Sequence, residues 1–147
     1  MQERIWTDRQ FDEMSWHDCH AHAIRIESGS HGAGTLVLDL DYIIEWVKLP
    51  GGGMRFRMLP ARLTFHEVVN LRIRLDYATP AAALGPFSIQ AIERHVEARE
   101  RYQAQVWRIA INWPSGEFGF EASGYTQRGV GEPVLVDRQW LLPEERV

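Results

Sequence analysis

Four of the six histidines and the only cysteine fall between His17 and His31, so imidazole or thiol chemistry must pass through Ser15-Trp16-His17-Asp18-Cys19-His20-Ala21-His22. His20 and His22 stand two apart. On an extended strand such residues project from one face, and both imidazoles can then reach one divalent transition metal. Glu27 and His66 are the further candidates for that shell, but Glu27 is out of phase with the histidines and needs an intervening bulge to join them. Cys19 has His17 in its own strand phase and His20 beside it, and a neighbouring base activates a thiol when it depresses the pKa. The plainer expectation is a set of solvated or backbone-bonded imidazoles and a small half-buried cysteine.

A second group is acidic. Asp39, Asp41 and Glu45 share a face if their segment is extended, with Tyr42 and Trp46 beside them as aromatic anchors for an interface. The plainer expectation is the wet face of an antiparallel strand. Glu117 and Glu121 straddle Phe118 and Phe120 and read as the outward half of a hairpin. Gly51-Gly52-Gly53 lacks the Lys-Ser/Thr of a phosphate loop and reads as a turn.

The elements that must position these groups are mostly strands. Thr7-Asp8-Arg9-Gln10 has the form of a capping box, which predicts a short helical turn over Asp8 to Glu13 with Phe11 and Met14 inward. Trp16 to Glu27 alternates as a strand with a polar first half, and Ser28 to Gly34 reads as the loop of a hairpin. Thr35 to Leu49 carries one continuously apolar phase and is long enough to predict a bulge or break near Asp41. Met54–Leu59 and Arg62–His66 read as two short strands separated by Pro60, and Val69–Asp76 as a half-buried strand. Ile89, Ile92 and Val96 lie at helical spacing in a run of helix formers, which predicts a helix over Ile89–Arg101. A short strand over 87–91 followed by a charged turn is the alternative. Trp107, Ile109, Ile111 and Trp113 alternate, Pro114-Ser115-Gly116 turns, and Phe118 and Phe120 alternate again, which is a hairpin. Val134 to Val136 reads as a last strand before Trp140 and a frayed charged tail.

At 147 residues the chain suits one domain, 1–147, with one hydrophobic core. The expected fold is mainly β, α+β at most: an antiparallel sandwich or open barrel of about eight short strands with at most one helix. The net charge of −4 is dispersed, so no basic stripe predicts a nucleic-acid partner. The start Met1-Gln2-Glu3-Arg4-Ile5-Trp6 lacks the apolar core of a signal peptide and no apolar run is long enough to span a bilayer, so the expectation is a cytoplasmic protein without a membrane partner.

Two resemblances follow from these residues. His20-x-His22, Glu27 and Gly34 resemble the first metal motif of the cupin family, which implies a β-barrel enzyme acting on a small molecule through a divalent metal. Met14 stands where that motif opens with glycine, and Pro60, Arg62 and His66 reproduce its second motif only with a one-residue displacement. Separately, Ser15-Trp16-His17-Asp18, then Leu38-Asp39-Leu40-Asp41-Tyr42-Ile43-Ile44-Glu45-Trp46, then Pro60-Ala61-Arg62-Leu63-Thr64-Phe65, looks like a family of small bacterial proteins of uncharacterised activity, similar to the immunity proteins of polymorphic-toxin systems. This second resemblance implies a non-enzymatic domain without a cofactor that binds another protein through an acidic and aromatic surface, the partner being basic. It makes His17 and Asp18 the characteristic pair. Trp16, His17, Asp18, Asp39, Asp41, Tyr42, Glu45 and Trp46 are then the expected partner-binding residues, in a chain that is a monomer or a homodimer.

Overall fold

The computed structural model describes residues 4–146; positions 1–3, where the N-terminal stretch begins, and position 147 lie outside the described residues. Nine strands follow one another as β1 (Ile5–Thr7), β2 (His20–Ser28), β3 (Gly34–Lys48), β4 (Met54–Leu75), β5 (Phe87–Ala98), β6 (Gln103–Trp113), β7 (Gly116–Glu121), β8 (Gly124–Gly129) and β9 (Val134–Val136). All pairings are antiparallel and belong to one sheet. The sheet returns on itself: β3, β2, β5, β6 and β7 link the two edges of β4 in a ring, so the fold is a barrel rather than a sandwich. The seam between β2 and β5 is narrow, with His20 opposite Ser88 and Ala21 opposite Phe87.

The capping box forms as expected. Thr7 N donates to Gln10 Oε1 at 2.8 Å, Arg9 N to Thr7 Oγ1 at 3.3 Å, and a 3-10 turn spans Asp8–Glu13. Its Phe11 lies edge-on to Trp107 and near Trp16, which carries the N-terminal segment onto the end of the core. The inward phase of the barrel joins Leu36, Leu38 and Leu40 to Leu63, Phe65, Trp107, Ile109, Phe118 and Ile89, all fully buried. The hairpin over 107–122 and the strand at Val134–Val136 are present as expected.

Three expectations are corrected. No helix forms over Ile89–Arg101; β5 runs straight through it to Ala98, and the turn follows. Gln90 has no cross-strand partner between Ile89↔Ile111 and Ala91↔Ala110, so it is a bulge. One extra residue turns the strand spacing of two into three, and Ile89 and Ile92 both face inward at what looks like helical spacing. Pro60 does not divide two strands either, since β4 is one strand of 22 residues. Pro60 lies opposite Asp41 on one side; on the other it falls between the end of β8 at Ala61↔Gly129 and the end of β9 at Met58↔Val134. Its carbonyl accepts from Val130 N at 2.8 Å on that side, so its nitrogen, which points the same way, faces a gap where no ladder donor is required. The bulge expected near Asp41 is present at Ile44, skipped between Ile43↔Met58 and Glu45↔Arg57. Finally, the C-terminal tail is folded: Leu141 is buried and a 3-10 turn spans Pro143–Glu145.

Candidate functional site

Val37, Asp41 and Ile43 belong to the outward phase of β3, yet all three are buried. The cover over Asp41 is the segment 137–146. Leu141 N donates to Asp41 Oδ2 at 2.8 Å, and the Arg146 guanidinium donates to Asp41 Oδ1. A bulge on β2 supplies the third partner. His22 is skipped between Ala21↔Leu40 and Ala23↔Asp39, and its Nε2 donates to Asp41 Oδ2 at 2.6 Å. A fully buried carboxylate is thus satisfied by an imidazole, an amide and a guanidinium, two of them from the end of the chain.

Burial first, and the Arg146 charge second, lower the pKa of His22 to about 4. The ring is therefore neutral at pH 7 and carries its proton on Nε2, facing Asp41. A base with so low a pKa is a weak proton acceptor, and the His22–Asp41–Arg146 group works as a clasp that fastens the tail to the barrel. Burial also lowers the pKa of His20, whose Nδ1 donates to the Asp18 carbonyl at 3.0 Å.

Next to the clasp is the turn at residues 17 and 18. Asp18 takes a left-handed φ of 63°, which aspartate tolerates better than most residues. Its carboxylate accepts from Asn112 Nδ2 and from Gln139 Nε2, each at 3.1 Å, and His17 Nε2 lies 3.4 Å away. His17 Nδ1 is 3.2 Å from the Gln90 carbonyl, and its ring stacks on Trp46 with centroids 6.5 Å apart. Asn112 is itself a bulge, skipped between Ser88↔Trp113 and Ile89↔Ile111. Bulges thus aim His22, Gln90 and Asn112 at their partners.

The register lines up Trp113, Ser88, His20, Asp41 and Pro60 as successive cross-strand partners on five strands. Partners share a face, and strands lie about 5 Å apart, so Trp113 sits about 10 Å from His20 on the outer surface. Trp140 lies against His20, with ring centroids 5.5 Å apart. Trp46, Trp113 and Trp140 are each 42–45% exposed; Trp46 stacks on His17, and the other two follow Asn112 and Gln139, the donors to Asp18.

The expected partner-binding residues therefore separate. His17, Asp18 and Trp46 come together at the surface. Trp16 and Tyr42 are core residues, Trp16 donating from Nε1 to the buried Gln127 Oε1 at 2.8 Å. Asp41 is enclosed. Asp39 is held by Arg25 at 3.2 Å and Arg62 at 3.4 Å, and Glu45 by Arg57 at 3.3 Å, so these two acids already have counter-ions in the chain. Asp18 and Asp41 are linked through the tail, by way of Gln139 and Leu141, rather than to each other.

The four candidate metal ligands are also separated. The required bulge exists, at His22, and puts Glu27 on the outward face with the histidines; but Glu27 stands five residues further on, about 16 Å along the strand, near Arg25. His66 Nε2 is paired with Thr126 Oγ1 at 2.9 Å on another part of the barrel. Among the described residues no group of three or more His, Cys, Asp or Glu is arranged to hold a metal ion. Cys19 is fully buried and desolvation raises its thiol to about 12, the reverse of activation.

Glu117 is outward and holds Arg108 at 2.8 Å. Glu121 is outward in phase but buried: Asn70 at 2.5 Å, Tyr102 at 2.9 Å and Arg99 at 3.4 Å donate to it and lower its pKa, tying the β5–β6 turn to a bend in β4. The sequence reading missed Gln90, Asn112, Gln139, Leu141 and Arg146. One signal was available, since Val37 and Ile43 share the phase of Asp41 and an outward apolar phase requires a cover. Comparison with known proteins returns no matching family model, no matching curated protein and no matching solved structure.

Proposed function

We propose that this chain is a non-enzymatic protein-binding domain, of the immunity-like kind its sequence pattern resembles, and that Trp46, Trp113 and Trp140 around His17 and Asp18 form its binding surface. The observation that carries the reading is that three half-exposed indoles adjoin the contacts of one turn: Trp46 stacks on His17, and Trp113 and Trp140 follow Asn112 and Gln139, which donate to Asp18. Tryptophan is among the residue types enriched at the hot spots of protein interfaces. Indole faces also attract guanidinium and ammonium groups, which keeps a basic partner compatible with acids that are already paired.

The test is affinity capture from a lysate of the source cells, comparing wild type with Trp46→Ala/Trp113→Ala. A partner retained by wild type and lost by the variant, with the thermal midpoint preserved, is the expected result. Equal capture of that partner by both proteins would refute the assignment of the surface.

A further inference from the structure

Beyond His20 and Ala21, β2 has no strand on its β5 side, so from Ala23 to Ser28 it pairs only with β3, and its other edge carries no ladder among the described residues. Ile26 is inward in phase, opposite Leu36, yet 64% exposed. It forms part of the rim of a cavity of about 300 Å³ walled by Val68, Val69 and Leu71. Natural edges are commonly protected by proline, by an inward charge or by a covering segment. This one has an exposed isoleucine in the inward phase instead.

We propose that the β2 edge pairs antiparallel with the same edge of a second copy, about a two-fold axis at Ile26. An isologous pairing that keeps inward residues against inward residues must set one residue opposite itself. Centred on Arg25 it opposes two guanidiniums, and centred on Glu27 it opposes two carboxylates. Centred on Ile26 it places Ile26 against Ile26, and Arg25 of each protomer against Glu27 of its partner. The charges therefore select the same register as the apolar contact. Arg25 and Glu27 are both about half exposed, and Arg25 can keep Asp39 at 3.2 Å while using its other donors across the axis. So short an edge makes a small interface, and the dimer is expected to dissociate in the micromolar range or above.

Sedimentation velocity on the untagged chain from about 5 µM to about 500 µM tests this. Wild type is expected to dimerise with rising concentration, Ile26→Lys to stay monomeric, and Arg25→Glu or Glu27→Arg to weaken association about tenfold or more, because symmetry repeats each charge clash. The double reversal Arg25→Glu/Glu27→Arg restores both cross-axis pairs and should recover association, although it does not restore the contact of Arg25 with Asp39. Hydrogen exchange on wild type needs no variant: amides of residues 24–28 should slow as concentration rises. A monomer throughout, a dimer unaffected by Ile26→Lys, a double variant as weak as the singles, or exchange independent of concentration would each overturn the proposal.

Discussion

Replacing Arg146 with alanine should weaken the pH dependence of stability that His22 contributes. In the wild-type chain the folded pKa of His22, about 4, lies below the unfolded value of about 6.5. As pH falls the unfolded chain takes up the proton first, so this contribution is fully present above about 6.5 and is lost as pH falls towards 4. At about 1.4 kcal/mol per pH unit, and with allowance for solvent around a partly exposed ring, it amounts to roughly 2 kcal/mol.

Without Arg146, the fully buried Asp41 keeps only the Leu141 amide and the His22 ring. Breaking a buried pair in this way costs about 3–5 kcal/mol, with the lower end expected here because Arg146 is itself partly exposed. The guanidinium that opposed protonation of His22 is then gone, and among the described residues His22 is the remaining side chain that bonds Asp41. Burial still disfavours the charged ring, so the folded pKa of His22 should rise from about 4 towards its unfolded value. The closer the folded value lies to the unfolded one, the less stability is lost as pH falls between them. Denaturant unfolding at about pH 5.5 and about pH 8 should show Arg146→Ala further below wild type at the higher pH, and the His22 ring signal in NMR should titrate at higher pH than in wild type. Arg146→Lys keeps the charge and should keep the wild-type pH dependence. An equal deficit at both pH values with an unmoved His22 titration would refute the clasp.

Two further outcomes check the barrel itself. A Cβ at Gly116 would stand 2.0 Å from the Arg74 carbonyl oxygen, so Gly116→Ala must push β7 off β4; a loss of about 2–4 kcal/mol is expected in urea unfolding, and a loss under about 0.5 kcal/mol would count against the close approach. The Cys19 thiol, fully buried and pushed up to about 12, should resist alkylation at pH 8 until the chain is unfolded; rapid labelling of the native protein would contradict its placement.

What was legible in the sequence was whatever depended on a few neighbouring residues. The 107–122 hairpin follows from two alternating runs around Pro114-Ser115-Gly116, and the Asp8–Glu13 turn from Thr7 and Gln10. The misreadings at Pro60 and Asp41 involve constraints that act at a distance. Pro60 is accommodated because two other strands end beside it, which nothing near position 60 announces. The partners of Asp41 arrive from positions 141 and 146, about a hundred residues further along the chain. Acid residues on a strand read locally as wet, and this one is dry because the tail lies over it.

The bulges explain why the candidate site was found by composition and misplaced by periodicity. A strand with an even period fixes the face of every side chain, so a group that must leave that face needs an inserted residue. His22, Gln90 and Asn112 are such insertions, and they serve Asp41, His17 and Asp18 in turn. A regular barrel with the same core would point the His22 ring away from Asp41 and remove two of the contacts that hold the 17–18 turn beside Trp46. These three bulges, unlike those at Ile44 and in β4, serve the clasp and the 17–18 turn, whose contacts adjoin Trp46, Trp113 and Trp140.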